Sequence, residues 1–329
     1  MQVSADTNRY RRRMMIVSAL LLASLQAASL QAKAQDVVRL DYAYYNPLSL
    51  VLKEKGWVQE ALGPDTRVEW VLSAGSNKAL EYLRGRTVDV GSTAGAAALL
   101  GRANGTPAKV VYIFSRPEWT ALVTRADSPI RSLQDLKGKR VAATPGTDAA
   151  IMLLRALATV GLGRGDITLV PLQHQDGRLA LDRGDVDAWA GLDPFMAQAE
   201  LQSHDRLFYR NRALNSPGTL LVRDAFVADH PAETAKIVAA YERARIWAGT
   251  HGDELVAILA AAAKLSPDVA KRELGRVDLS NPSVDATARS AIAAAAPILA
   301  TSGSLSANAD LGRAQATLYE TQFPQAAAR

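Results

Sequence analysis

The sequence predicts an α/β fold built as two domains, and three observations predict it. From residue 37 onward, short β-branched runs alternate with stretches of helical spacing, the pattern of βαβ units around largely parallel sheets. The chain has 329 residues. Once the leader described below is set aside, about 295 remain, more than one compact core usually holds. Third, "RGRTVDVGSTAGA" at 84–96 and "RGDVDAWAGLDPF" at 183–195 carry the same device. Each has a Gly shortly before a Val-Asp pair, then a short apolar segment, a turn and a helix start. Unpaired amides and the helix dipole at such a start favour an anion, although Gly-x-x-Asp before a strand is also ordinary α/β punctuation.

The elements follow in order. "VVRLDYA" reads as a strand and "NPLSLVLKEKGW" as a helix that opens near Pro47 and ends at Gly56. "RVEWVLS" is a strand, and "GSNKALEYLRG" is a short helix closed by Gly85. "VDVGS" is a strand, "AGAAALLGRANG" a helix and "AKVVYIF" a strand. "TALVTR" is extended and turns at Asp127, Ser128 and Pro129. "KRVAATPGTDAAIMLLRALATVGLGRGDITLVPL" then gives a strand, a Pro-Gly turn, an amphipathic helix, a Gly-rich break and a strand. "GRLALDRG", "VDAWAGL" and "PFMAQAEL" continue as helix, strand and helix. After "LFYR" and "NSPG", "TLLVR" is extended again. The remainder is almost wholly helical, with Ser266 as an N-cap and Pro267 at N1.

The N-terminus reads as an export signal. "NRYRRRMM" is basic, "IVSALLLASLQAASL" is apolar, and "AKA" at 32–34 fits an A-x-A cleavage site. The apolar run is short for a span of roughly 20 residues. Cleavage after Ala34 predicts a periplasmic protein, and Arg12 with Arg13 leaves a twin-arginine route open. The leader carries Arg9, Arg11, Arg12, Arg13 and Lys33 against Asp6, most of the net charge of +5. What remains is near neutral and leaves no nucleic-acid footprint.

Catalytic signatures are sparse. With no Cys, the chain offers neither a thiolate nucleophile nor a disulfide, and no lipobox. His174, His204, His230 and His251 are scattered, without an i, i+4 pair or HExxH spacing. There is no G-x-S-x-G elbow, P-loop or G-x-G-x-x-G. "GLGRGD" at 161–166 reads as a helix C-cap and turn. Neither a cofactor nor a metal is expected, and the chain reads as a non-enzyme.

Four stretches in this order resemble the periplasmic substrate-binding proteins of ABC importers for aliphatic sulfonates, taurine and nitrate. They are "VDVGSTAGA", "SLQDLKGKRVAATPGT", "LLRALATVGLGRGDITLVPL" and "RGDVDAWAGLDPF". The likeness spans roughly residues 38 to 320. It implies a periplasmic-binding-protein fold (type II-like), with two α/β domains joined by a two-crossing hinge. Domain I would combine 36–116 with 219–329, and domain II would be 117–218, with crossings near 117–120 and 216–218. The protein would close on a ligand by hinge motion and pass it, as a monomer, to a membrane permease powered by a separate ATPase.

The resemblance also supplies candidate ligand residues. Ser92 and Thr93 match the hydroxyl pair that holds an anionic head group, with an N-cap as the alternative role. Gly146 and Thr147 match the corresponding turn of domain II. There the chain departs from the sulfonate pattern, because Asp148, Ala149, Ala150 and Ile151 replace a hydroxyl-rich run followed by His-Asn. Asp148 is then either a first-turn acid or a partner for a cationic group, as the amine of taurine would provide. Glu118 raises the same question. Asn46 is a donor or a turn former, and Asn215 lies near the second crossing. Trp189 is a cleft wall or core packing, and Asp193 a ligand contact or an N-cap. Tyr44 and Tyr45 would flank an apolar tail. The expected ligand is a small organic anion, a sulfonate or amino-sulfonate. The alternative is an enzyme on the same fold, desulfinase-like or pyrimidine-synthesis-like, although the desulfinases need a Cys that is absent here.

Overall fold

The computed structural model describes residues 36–323, so the leader read in residues 1–34 lies outside them. Ten strands form two sheets. One contains β1 (Asp36–Tyr42), β2 (Thr66–Leu72), β3 (Val90–Ala94), β4 (Ala108–Ser115) and β10 (Gly218–Arg223), in the order β2-β1-β3-β10-β4. The other contains β5 (Thr120–Thr124), β6 (Arg140–Ala143), β7 (Thr168–Pro171), β8 (Ala188–Leu192) and β9 (Arg206–Tyr209), in the order β7-β6-β8-β5-β9. The chain leaves the first sheet after Ser115, enters the second at Thr120, and returns between Tyr209 and Gly218.

The sheets are mixed rather than largely parallel. β1 runs parallel to β2 and β3, and β6 runs parallel to β7 and β8. β10 is antiparallel to both β3 and β4, and β5 to both β8 and β9. These two are the strands that directly follow a crossing. Each enters its sheet from the side of the other lobe and therefore runs against its neighbours.

The repeated Val-Asp pair has a structural purpose. Asp89 donates its amide to the Arg39 carbonyl at 2.7 Å and accepts the Arg39 amide on its carboxylate at 2.9 Å. Asp187 does the same with Arg140, at 2.8 Å in both directions. In each lobe the acid pins the strand that follows it, β3 or β8, to its parallel neighbour, β1 or β6. Register between parallel strands is thereby fixed at their amino ends, away from the interlobe face.

Both sheets are covered on two sides, as expected of α/β layers. One core unites Leu40, Leu48, Leu83, Leu99 and Tyr112 with Ile237, Tyr241, Ile292 and Leu318 from the C-terminal helices. The second sheet has a cluster on each face, one around Leu122, Val141 and Leu153 and the other around Trp189, Met196 and Leu181. Gly177 makes room for the second. A Cβ there would stand 2.7 Å from the Trp189 ring. The C-terminal caps follow their sequence signals, with Ser266 accepting from the Val269 amide and Pro267 at N1.

Candidate functional site

The turns after the parallel strands meet where the lobes face each other, the place where open α/β sheets put their ligands. Gly75, after β2, lies against His174, after β7: a Cβ on Gly75 would stand 2.8 Å from Asn77 Oδ1 and 3.2 Å from His174 Nε2. Gly146, after β6, has φ +76° and would bring a Cβ to 3.6 Å from the Asn77 Cβ. Asn77 is therefore flanked by two turns of the opposite lobe. A groove of about 480 Å³ reaches Asn77 and Gly146 from outside, past Glu81 and Arg84.

Three helices begin on this seam: Ser76–Arg84, Asp148–Ala158 and His174–Asp182. Their first amides have no intrahelical acceptor, and no protein acceptor meets those of Ser76, Asn77, Ala149, Gln175 or Asp176 among the described residues. Polar side chains there are also unpartnered. Asn77 Oδ1, Gln173 Oε1 and both ring nitrogens of His174 are buried without a hydrogen bond. Buried polar groups are normally paired, so this cluster marks a face built to meet something else. His174 is 1% exposed, and burial alone drives its imidazole down to about 3.

The sequence-predicted residues fall elsewhere in several cases. Ser92 donates its amide and hydroxyl to Asp41 Oδ1, each at 2.8 Å, and accepts from Asn46 Nδ2 at 2.7 Å. Asn46 also caps its own helix, accepting from the Ser49 amide. Thr93 shares a hydrogen bond of 2.9 Å with Thr219 on β10. The helix Gly95–Ala103 that follows them is closed at its start. Gly95 donates to the Pro217 carbonyl at 2.8 Å and Ala96 to Ser216 Oγ at 2.9 Å. The hydroxyl pair is therefore spent inside the protein. Tyr45 also turns inward, donating to the Ser92 carbonyl, while Tyr44 packs in an outer cluster with Leu50 and Leu259.

Asp148 joins the hinge. Its Oδ2 accepts from Trp119 Nε1 and from the Ser216 amide, both at 2.9 Å, and its Oδ1 accepts from Ser216 Oγ at 2.8 Å. Trp119 lies in the first crossing and Ser216 in the second, so one carboxylate ties the second lobe to both. Burial pushes its pKa up against these donors. Asn215 adds a second tie, accepting from the Thr120 amide and hydroxyl on Oδ1. Asp148 is the acid in the first turn of its helix, one of the two roles read from the sequence, and its carboxylate is at the same time committed to the two crossings.

The remaining candidates divide between surface and core. Glu118 pairs with Arg210 at 2.7 Å on the outside of the hinge. Asp193 binds Arg276 through both oxygens, at 3.1 and 3.0 Å, and caps the next helix through the Ala197 amide. Arg276 also pairs with Glu200, which makes it a clasp between the C-terminal helices and the second lobe. Trp189 packs in the second lobe's core. Thr147 stands at the seam, but its hydroxyl donates to the Thr144 carbonyl. Of the ten candidates, Gly146 and Thr147 are the ones the structure brings to the unpartnered polar cluster.

Two buried groups were missed by sequence reasoning, His174 and Asp41. Asp41 is fully buried, and burial raises it to about 6 against the two Ser92 donors. Both follow one signal, position at the carboxyl end of a parallel strand. In "VPLQHQDG" that position is held by a His rather than by the Ser or Thr of an anion-binding turn.

The comparisons with known proteins agree with this architecture. The family described as NMT1/THI5 like matches residues 49–255. An Escherichia coli (strain K12) protein named as an aliphatic sulfonates-binding protein is 29% identical over 249 residues, 73% of this chain and 77% of that one. The alkanesulfonate-binding protein SsuA of Xanthomonas axonopodis pv. citri, bound to MOPS, superposes with a TM-score of 0.78. It is 24% identical, and the match covers 84% of this chain and 97% of that one. The desulfurization enzyme DSZB has the same fold at 18% identity and TM-score 0.63, covering 88% and 97%.

Proposed function

The chain belongs to the NMT1/THI5 like family, and on that premise we propose that it is the periplasmic solute-binding component of an ABC importer, closing its two lobes on a small organic sulfonate. The observation that carries this reading is the seam itself. Three helix starts with free amides converge there around the neutral His174 ring, and no protein carboxylate among the hydrogen-bond partners described at those starts takes up those amides. Free backbone amides at helix starts suit a strong-acid anion that stays charged at every working pH.

An amine-bearing ligand such as taurine fits less well. Asp148 has three donors already, and Glu118 is held by Arg210. A simple sulfonate with an apolar or neutral tail is the better match. The relatives named above are binding proteins, and the role needs no bond to be made or broken. Closure requires only that the ligand bind the closed state better than the open one. A chain without Cys also lacks the nucleophile required in the desulfinase-like alternative. The permease and its ATPase would be the partners, with the processed chain acting as a monomer in the periplasm.

The test is thermal unfolding of the processed protein against alkanesulfonates, taurine, nitrate, sulfate and aromatic acids. A ligand at about 100 times its Kd adds roughly 2.7 kcal/mol to the folded state. Alkanesulfonates should raise Tm clearly, and taurine less. A shift confined to carboxylates or nitrate would replace the sulfonate assignment, and no shift with any anion would remove it.

A further inference from the structure

This inference rests on the anion-binding reading and concerns how the site is regulated. We infer that His174 is a proton-linked anion sensor: an anionic group entering the seam draws a proton onto its imidazole, and a protonated His174 without such an anion opposes closure of the lobes.

His174 opens a nine-residue helix, is 1% exposed and has both ring nitrogens unpartnered. Across the seam it faces Gly75 and Asn77, neither of them charged. Charged groups do stand on the surrounding elements. Its own helix carries Asp176 and the pair Arg178–Asp182, the facing helix carries the pair Lys78–Glu81, and Glu200 on the neighbouring helix is held by Arg272 and Arg276. Arg140 begins β6 and is exposed. None of them pairs with the imidazole, and burial is the one cause of its low value.

Open to water, His174 has the ordinary imidazole pKa of about 6.5. Closed around nothing, it must be neutral, so each pH unit below that value disfavours empty closure by about tenfold. Closed around an anion, the ion pair favours the charged form, and binding takes a proton from solvent. Affinity for an anion should then rise as pH falls from 8 to 6.5, by up to about tenfold per unit, and level off below.

The experiment is calorimetric titration of the processed protein with ethanesulfonate at pH 6.5, 7 and 8, in buffers with different heats of protonation, for the wild type and His174→Gln. The wild type should take up a substantial fraction of one proton at pH 7, and the variant none, with a flat Kd. Proton NMR of the four histidines, assigned with the variant, should show one ring whose titration moves upward when ligand is added. If ethanesulfonate binds without proton uptake and with a pH-independent Kd in the wild type, the sensor is overturned while the binding site stands. If neither ethanesulfonate nor any other anion binds at any pH, the site reading falls and the sensor with it. Should the variant fail to fold, the wild-type proton count still decides.

Discussion

The helix starts at Gly95 and at His174 follow strands of the same kind, yet they end in opposite states. At Gly95 the first two amides are closed by Pro217 and Ser216 from the returning crossing, and Ser76 Oγ accepts from the Ala94 amide just before them. At His174 the corresponding amides, and the side chain itself, have no protein partner. The first belongs to a hub of mutual hydrogen bonds among Asp41, Asn46, Ser92, Ser216 and Asp148, in which Asp41 Oδ2 alone of these side chains is left without a hydrogen bond. The second belongs to an unsaturated seam. Saturation should show up as stability shared by all ligand states, and lack of it as affinity.

The strongest way to break this contrast is Asp148→Ala. The change removes a buried carboxylate and orphans the Trp119 indole and both Ser216 donors. A loss of about 3 kcal/mol in unfolding stability is expected. The shift in urea midpoint reads it. Ethanesulfonate and taurine should weaken by the same factor. A selective loss of taurine would return Asp148 to the binding site.

Asp41→Asn should act in the opposite direction, and pH exposes it. The carboxyl titrates near 6 in the folded protein, against about 3.9 unfolded. The native state therefore holds the proton more tightly, and this group's contribution is most favourable below pH 4 and is lost as pH rises through 6. An amide at 41 still accepts from Ser92 and turns its NH2 to where the unpartnered Oδ2 stood, beside Ser73. The variant should be about 3 kcal/mol more stable than wild type at pH 8, and the difference should vanish near pH 4. A difference that does not change with pH would show that Asp41 is not perturbed by burial.

The hub and the seam were legible in the sequence to different degrees. Strand and helix periodicity, Gly caps and the Ser266-Pro267 start are local signals and located the elements. The two β-branched runs "TALVT" and "TLLVR" also read as strands, but their antiparallel sense depends on which lobe the chain arrives from, and no local pattern encodes that. Ser92 and Thr93 have the chemistry of an anion site. Asp41, fifty-one residues away, takes up the Ser92 hydroxyl instead. A pairing at that separation cannot be read from one sequence. The same holds for Asp148, whose partners lie at the two crossings and become neighbours when the hinge forms.

Gly75→Ala should have the smallest effect on stability, and it separates the two regions most cleanly. Gly75 has an extended backbone at φ 167°, which any residue adopts. In the open protein a methyl group there meets little but its own Asn77, so the unfolding midpoint should move by less than about 0.5 kcal/mol. In this structure the same methyl would stand 3.2 Å from His174 Nε2 across the seam, where a buried ring on the opposite lobe has little room to retreat. Closure is then impeded, and sulfonate affinity should fall about tenfold, which corresponds to about 1.4 kcal/mol. Equilibrium titration with ethanesulfonate, set beside the urea midpoint, reads both quantities. Affinity lost without stability places the ligand-sensing contact at Gly75 and His174. Wild-type affinity in this variant would mean that the lobes close on their ligand without bringing those two turns together.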